Sequence, residues 1–335
     1  MTPDISIVIP AYNVERYVAA ALNSALAQRH VAAEIVVVDD GSIDATMDRI
    51  RSVGDDPRLR VIAQANQGPS GARNTALRAA CGRYVGFLDG DDLWEPDKAA
   101  RHVALMDARP DLDLSYSWWR VIDGDGRVTG RRNRTRAENL PRGMSFEGLL
   151  VANFTGTAST VVCRKAALDA VGGFDEQLTS NVDLDVWLRI AARRDGNIGL
   201  VEEVLTSYRM HGAQITGNWS RMKANWEKVL EKARAAAPAR VAGVETVARA
   251  LLSRYLAYLA YEQRDYLAAR RMMLDAWAKA PRAVAGDARV WLISAAIGTA
   301  SVLPDAWHDG LSRVARDLRA RIAAGDASAG QEAAR

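Results

Sequence analysis

Apolar residues in this chain gather into short runs that end abruptly in acids, glycines and asparagines, with amphipathic stretches between them. Ile5-Ser6-Ile7-Val8-Ile9 reads as a buried strand, stopped by Pro10, which cannot donate to a ladder. Ala11-Tyr12-Asn13 then turns the chain into a segment with Tyr17, Val18, Ala21, Leu22 and Ala25 at helical spacing. A second run, Glu34 to Val38, ends in Asp39-Asp40-Gly41-Ser42, where Ser42 predicts an N-cap with Asp44 in the first helical turn. Arg60 to Ala63 is a third strand, leading through the polar loop Asn66 to Asn74 into another helix. Tyr84 to Leu88 is a fourth, and it delivers Asp89-Gly90-Asp91-Asp92. Strand, loop and helix recur about every thirty residues, the rhythm of a parallel sheet covered by helices. The expected fold class is α/β, a mostly parallel sheet flanked by helices. In such sheets ligands bind beyond the carboxyl ends of the strands, and every polar cluster above lies at such an end.

Further along, Gly172-Gly173-Phe174-Asp175-Glu176 reads as a turn. Asp183 and Asp185 then open a helix whose inner face includes Val186, Ile190 and Ala191. Near residue 218 the chain becomes Ala- and Arg-rich and helical, with Leu252, Tyr255, Leu256 and Leu259 at helical spacing. Tyr258 to Pro281 resembles one tetratricopeptide-type helix pair, and a single copy cannot make a solenoid, so a helical appendage is expected. The apolar stretch Val290 to Leu303 falls short of the roughly 20 residues that span a bilayer. It predicts a buried helix, with an interfacial or dimer-forming helix as the alternative. Residues 324–335 are small and polar and are expected to be disordered.

Composition narrows the function classes. The 44 basic and 41 acidic residues nearly cancel, so bulk nucleic-acid binding is not expected. A local basic run, Arg127, Arg131, Arg132, Arg134, Arg136 and Arg142, reads as a solvated hairpin or as a lid that attracts an anionic acceptor or the membrane surface. Cys81 and Cys163 make neither a disulfide framework nor a zinc spacing and suit a reducing cytosol. Met1 to Asp4 leads straight into a core strand, so no leader is expected and the location is read as cytoplasmic.

The acidic cluster after the fourth strand carries the chemistry. Like charges at close range raise one another's pKa unless something positive sits against them. A divalent metal carrying a diphosphate is the natural partner, and hard oxygen ligands suit Mg²⁺ or Mn²⁺. The chain lacks the Gly-Lys-Ser/Thr ending of a P-loop and the Gly-x-Gly-x-x-Gly dinucleotide fingerprint. Asp39, Asp40 and Ser42 also fit a plain turn and cap, and Asp183 with Asp185 also suits the helix dipole, at about 0.3–1 kcal/mol each.

Taken in order, Ile9 to Asn13, Val38 to Ser42, Gly71 to Asn74 and Leu88 to Asp92 resemble the inverting glycosyltransferases of family 2, of GT-A fold. The resemblance continues through Gly172 to Glu176, Asp183 to Arg189 and Tyr208-Arg209-Met210-His211, and so covers about residues 1–215. It implies a catalytic domain over 1–218, with a nucleotide-sugar half to about residue 100 and an acceptor half from 101, followed by a helical region over 219–323. It also implies that Pro10, Tyr12, Asn13, Glu15, Asp39 and Asp40 hold the base and ribose of the donor. Arg73, Asp89 and Gly90 would meet the base, ribose or phosphates. Asp89 and Asp91 match the Asp-x-Asp metal motif, extended by Asp92, with His211 completing the metal site or touching phosphate. Asp183 stands where the family has its general base, although the preceding Glu of the usual motif is here Val182. Asp92, Asp185, Trp118, Trp119 and Arg209 are the candidate acceptor or diphosphate contacts, and Trp187 is expected in the core. The implied reaction moves a sugar from a nucleotide-diphosphate donor, UDP-linked by family frequency, to a glycan or lipid-linked acceptor. Nucleotidyl or phosphoryl transfer at the same site and a non-catalytic sugar-nucleotide-binding protein are the alternatives. Peripheral membrane association or a homodimer through the C-terminal helices completes the partner expectations.

Overall fold

The computed structural model describes residues 2–133, 138, 140, 142–211, 218–286 and 289–300. The first third holds β1 (Ile5–Ala11), α1 (Val18–Leu26), β2 (Ala33–Asp39), α2 (Thr46–Arg51), β3 (Leu59–Ala63), α3 (Gly68–Ala79), β4 (Tyr84–Phe87), β5 (Leu93–Trp94) and α4 (Lys98–Ala108). Then come β6 (Leu114–Ile122), β7 (Val128–Asn133), α5 (Phe146–Ala152), β8 (Val161–Arg164), α6 (Lys165–Ala170), α7 (Val182–Ala191) and β9 (Ile198–Arg209). The rest is helical: α8 (Trp219–Ala236), α9 (Pro238–Ala242), α10 (Glu245–Glu262), α11 (Tyr266–Lys279), α12 (Pro281–Ala285) and α13 (Arg289–Ala300).

One sheet runs in the order β3-β2-β1-β4-β8-β6-β9-β5, with β7 paired to β6. Strands β1 to β4 pair in parallel, β8 is antiparallel to both β4 and β6, and β6 is parallel to β9. Both faces of the first strands are buried: Ile5, Ile7, Ile9, Ile35 and Val37 on one, Val8, Val36 and Val38 on the other. That double burial is why they read as unbroken apolar runs. Strand order reverses between β1 and β4, and the crevice at that switch point lies beyond their carboxyl ends.

Three local expectations are corrected. Pro10 does not stop β1, which continues to Ala11 and pairs through Ala11 with Asp39. The backbone of Val8 faces β4, since its carbonyl accepts from Leu88 N, and Pro10 faces the same side two residues on, where β4 has already ended. A missing donor costs nothing there. Ser42 does not cap α2, which starts at Thr46; its hydroxyl instead accepts from Asn13 N at 3.0 Å. Helix α3 begins at Gly68, with Pro69 in its first turn, so Gly68 to Asn74 is helix and not loop.

The chain packs as two units, Met1–Ala248 and Arg249 onward. The first extends past the expected boundary at 218 because α8 is bound into it. Asn225 Oδ1 accepts from Thr179 N at 3.1 Å, and Lys232 pairs with Asp175 and Asp185 at 2.7 Å each. In the second unit Leu256, Ala257, Ala260, Ala269, Met273 and Ala276 are buried. Between α10 and α11, Ser253 Oγ donates to Asp275 at 2.7 Å. Helix α13 is not the buried helix expected: Val290, Ile297 and Ala300 are buried, but Trp291 and Leu292 are exposed. Leu303 and residues 324–335 lie outside the described residues. Among the described residues no helix is long and apolar enough to cross a membrane.

Candidate active site

The acidic turn sits where β4 leaves the sheet and crosses the end of β1. Asp92 N closes it onto Asp89 O at 3.0 Å. The backbone passes close at Gly90, where a Cβ would lie 3.1 Å from Pro10 O and 3.2 Å from Val14 Cγ2. The three carboxylates diverge to three different partners. Asp89 accepts from Arg73 Nη2 at 2.5 Å. Asp91 Oδ2 lies 2.9 Å from His211 Nε2. Asp92 turns inward, fully buried, and accepts from Arg209 N at 2.9 Å. Its Oδ2 has no hydrogen-bond partner among the described residues. Burial pushes the Asp92 carboxyl well up, and the charges of Asp91 and Asp89 add to this. Asp92 therefore ties the turn to β9.

Arg209 is likewise a brace. It is buried, donates to Asp91 O at 2.7 Å and Asp123 O at 3.1 Å, and lies over the Tyr17 ring at 4.8 Å. Its guanidinium meets backbone carbonyls and a ring. Tyr17 also stacks on His211 at 4.8 Å, so one aromatic ring from the start of α1 orients both residues of the β9 end.

The metal expectation meets a two-donor arrangement. Asp91 and His211, with side chains 19% and 14% exposed, present one oxygen and one nitrogen side by side. Asp89 is engaged with Arg73, and among the described residues no group of three or more His, Cys, Asp or Glu side chains is placed to hold a metal. Two protein donors fit an ion that keeps its remaining positions for phosphate oxygens and water, as Mg²⁺ sites do.

The residues that follow β1 and β2 form an interlocked rim. Asn13, at φ 52°, accepts from Ile43 N at 3.0 Å, and Glu15 accepts from Ala45 N at 2.9 Å. Asp39 Oδ1 accepts from Ser42 N at 3.2 Å. Asp40 Oδ1 accepts from Gln64 Nε2 at 2.7 Å and Gln67 N at 2.8 Å. These bonds clasp the loops after β1, β2 and β3 to one another, and Tyr12 is 47% exposed.

Asp183 lies in the first turn of α7, part-buried, its Oδ1 accepting from Leu184 N at 2.9 Å. Burial raises its pKa; the Arg73 charge works against that rise, and the Asp89 charge reinforces it. Arg73, 6% exposed, thus acts electrostatically on both acids while its Nε has no partner among the described residues. Asp185 is 1% exposed and ion-paired to Arg189 and Lys232 at 2.7 Å each. Trp187 is fully buried, and its ring meets Phe87 at 5.4 Å. Trp118 and Trp119 lie half-buried on β6, with the Trp119 ring 6.0 Å from Tyr208 and its Nε1 without a partner among the described residues. Of the basic run, Arg127 pairs with Asp125 at 2.6 Å in the β6–β7 hairpin. Arg134, Arg136 and the side chains of Arg131 and Arg132 lie outside what is described.

Sequence reasoning left three contributors unassigned. Asn74 donates to Phe174 O and Glu176 Oε1, both at 2.9 Å, and accepts from Phe174 N at 2.8 Å. Ser159 Oγ accepts from Asp89 N at 3.0 Å. Tyr17 carries His211 and Arg209. Asn74 sits in the quoted Gly71 to Asn74 motif, whereas nothing in the sequence marks Ser159.

A parallel half that carries an acidic turn at its switch point and continues into an antiparallel half defines a nucleotide-sugar transferase fold of GT-A type. The structure of Staphylococcus aureus TarS 1–349 in complex with UDP-GlcNAc has this fold, with a TM-score of 0.59, 19% identity, and coverage of 89% of this chain and 87% of that one. The chain belongs to glycosyl transferase family 2, whose profile it matches over residues 6–172. It is 30% identical over 218 residues to the UDP-Glc:alpha-D-GlcNAc-diphosphoundecaprenol beta-1,3-glucosyltransferase WfaP of Escherichia coli, covering 64% of this chain and 80% of that one. It is 34% identical over 214 residues to the uncharacterized glycosyltransferase alr2836 of Nostoc, covering 62% of this chain and 65% of the relative's length.

Proposed function

We propose that the chain is a metal-dependent, inverting glycosyltransferase with Asp183 as general base. The sugar comes from a nucleotide-diphosphate donor, UDP-linked in this reading, as the UDP-Glc donor of WfaP and the UDP-GlcNAc complex of TarS suggest. It passes to a hydroxyl of a glycan or lipid-linked acceptor at the cytoplasmic face of the membrane. The observation that carries the reading is the convergence of two unlike sites on Arg73. Asp89, on the donor side, is ion-paired to it, and Asp183, at the start of α7, feels its charge.

Asp183 accepts the proton of the acceptor hydroxyl as that oxygen attacks the anomeric carbon. Burial makes its carboxylate more basic than an ordinary one, and the Arg73 charge works against that rise. Tyr12, Asn13, Asp39 and Asp40 shape the base and ribose pocket, and Asp89 with Gly90 lines the diphosphate side. Asp91 and His211 would hold Mg²⁺ or Mn²⁺, which supplies positive charge against the departing diphosphate when bound. Attack opposite the leaving group inverts the anomeric carbon in one displacement, with no protein nucleophile required.

The test is a thermal-shift panel of nucleoside diphosphates and their sugars, with and without Mn²⁺, on the wild type and Asp91→Ala. A ligand at a hundredfold excess over its Kd stabilises by about 2.7 kcal/mol. A Mn²⁺-dependent shift for one nucleotide, lost in Asp91→Ala, is the expected result. No shift with any nucleotide would remove the donor site from this reading.

A further inference from the structure

Half of the large apolar side chains exposed among the described residues lie in the smaller, helical unit that begins at Arg249. On α11, Leu267 and Leu274 are 64% and 59% exposed, and the exposed Arg270 and Arg271 lie between them on the same face. The opposite face, Ala269, Met273 and Ala276, is buried within the unit. Asp275, the one acid inside α11, is engaged by Ser253 and Lys279. Three residues beyond Leu274, Trp277 stacks at 4.8 Å on Trp291, which is itself 59% exposed, with Leu292 at 65% beside it. Charge follows the same division. From residue 249 to the end the chain has 13 Lys or Arg against 9 Asp or Glu, a larger excess than the +3 of the whole.

We propose that this face of the helical unit seats on an anionic lipid surface. Leucines and a tryptophan enter the boundary between headgroups and acyl chains, while arginines on the same face reach lipid phosphates. A second copy of the chain is the poorer occupant, because two-fold pairing of this face would set Arg270 and Arg271 against their own kind. The inference deepens the membrane-face reading above and rests on it for the leaflet engaged.

The experiment is flotation of the full chain with vesicles of equal parts phosphatidylglycerol and phosphatidylcholine, against phosphatidylcholine alone. Binding to the anionic vesicles, weakened by added salt, is expected. Arg270→Gln with Arg271→Gln should weaken it about fivefold per arginine removed, and Leu267→Ser with Leu274→Ser should abolish it. All four side chains are exposed, so both double variants should keep the melting temperature and the nucleotide-induced shift of the wild type. Failure of the wild type to float with anionic vesicles, or flotation indifferent to both double variants, overturns the proposal. So does a concentration-dependent dimer that the leucine pair abolishes in the absence of vesicle binding, which would assign the face to a second copy. Loss of the nucleotide shift alone would count against the transferase reading and leave this one standing.

Discussion

Asn74 is the side chain on which the two halves of the site hinge, and replacing it gives a measurable forecast. Its amide makes three hydrogen bonds of 2.8 to 2.9 Å to the turn at Phe174 and Glu176. Gly173, at φ +69°, leaves no room beside it, since a Cβ there would sit 2.7 Å from Asn74 Oδ1. At about 1 kcal/mol net per hydrogen bond, Asn74→Ala should cost about 3 kcal/mol. With a slope of about 3 kcal/mol per M, the urea midpoint should fall by about 1 M while the slope is unchanged. Asn74→Asp keeps the acceptor for Phe174 N but loses the donor. It should also destabilise, and regain stability in acid, where the protonated carboxyl can donate to Phe174 O. The functional consequence follows from what the turn carries. The Phe174 ring lies 5.6 Å from the Arg73 guanidinium and 6.3 Å from Trp187, one helical turn along from Asp183. Loosening the turn should therefore lower kcat by about 10- to 100-fold through misplacement, with donor affinity nearly kept. An Asn74→Ala protein within about 0.5 kcal/mol of the wild type would refute the reasoning, because that is the range of ordinary surface substitutions.

Three further outcomes are expected. Asp183→Asn should lower kcat by about 10²- to 10⁴-fold while leaving the nucleotide thermal shift intact, since an amide cannot accept the proton. In the wild type, kcat/KM should rise with pH through a group displaced upward from the ordinary carboxylate value of 3.8, as burial of Asp183 dictates; a pH–rate profile checks this. Arg240 holds the Glu147 carboxyl down at about 2, against an ordinary 4.5. A lowered carboxyl contributes its stability above its unfolded value, so the pair should supply up to about 3 kcal/mol above pH 4.5 and lose it as pH falls toward 2. Acid denaturation of Glu147→Gln should lack that segment of the curve.

Local pattern determined a good deal about this protein. Unbroken apolar runs marked β1, β2 and β4 because strands covered on both faces leave no alternation to read, and the polar ends of those runs marked the ligand side of the sheet. Asp89, Asp91, Arg73, His211 and Asp183 were all legible as candidates from motif order. Their division of labour was not. Asp91 and His211 stand 120 residues apart in sequence and meet at 2.9 Å only because β9 returns past the end of β1. Asp92 and Asp185 look like their acidic neighbours, yet burial and a specific partner turn each inward. Ser42 looked like a cap and became a clasp, since Asn13 N competes for its hydroxyl across 29 residues. Charge, helical spacing and turn chemistry act over a few residues and can be read along the chain. Which carboxylate stays at the crevice and which is drawn into the protein depends on partners supplied by distant strands, and only the tertiary structure brings those partners within hydrogen-bonding distance.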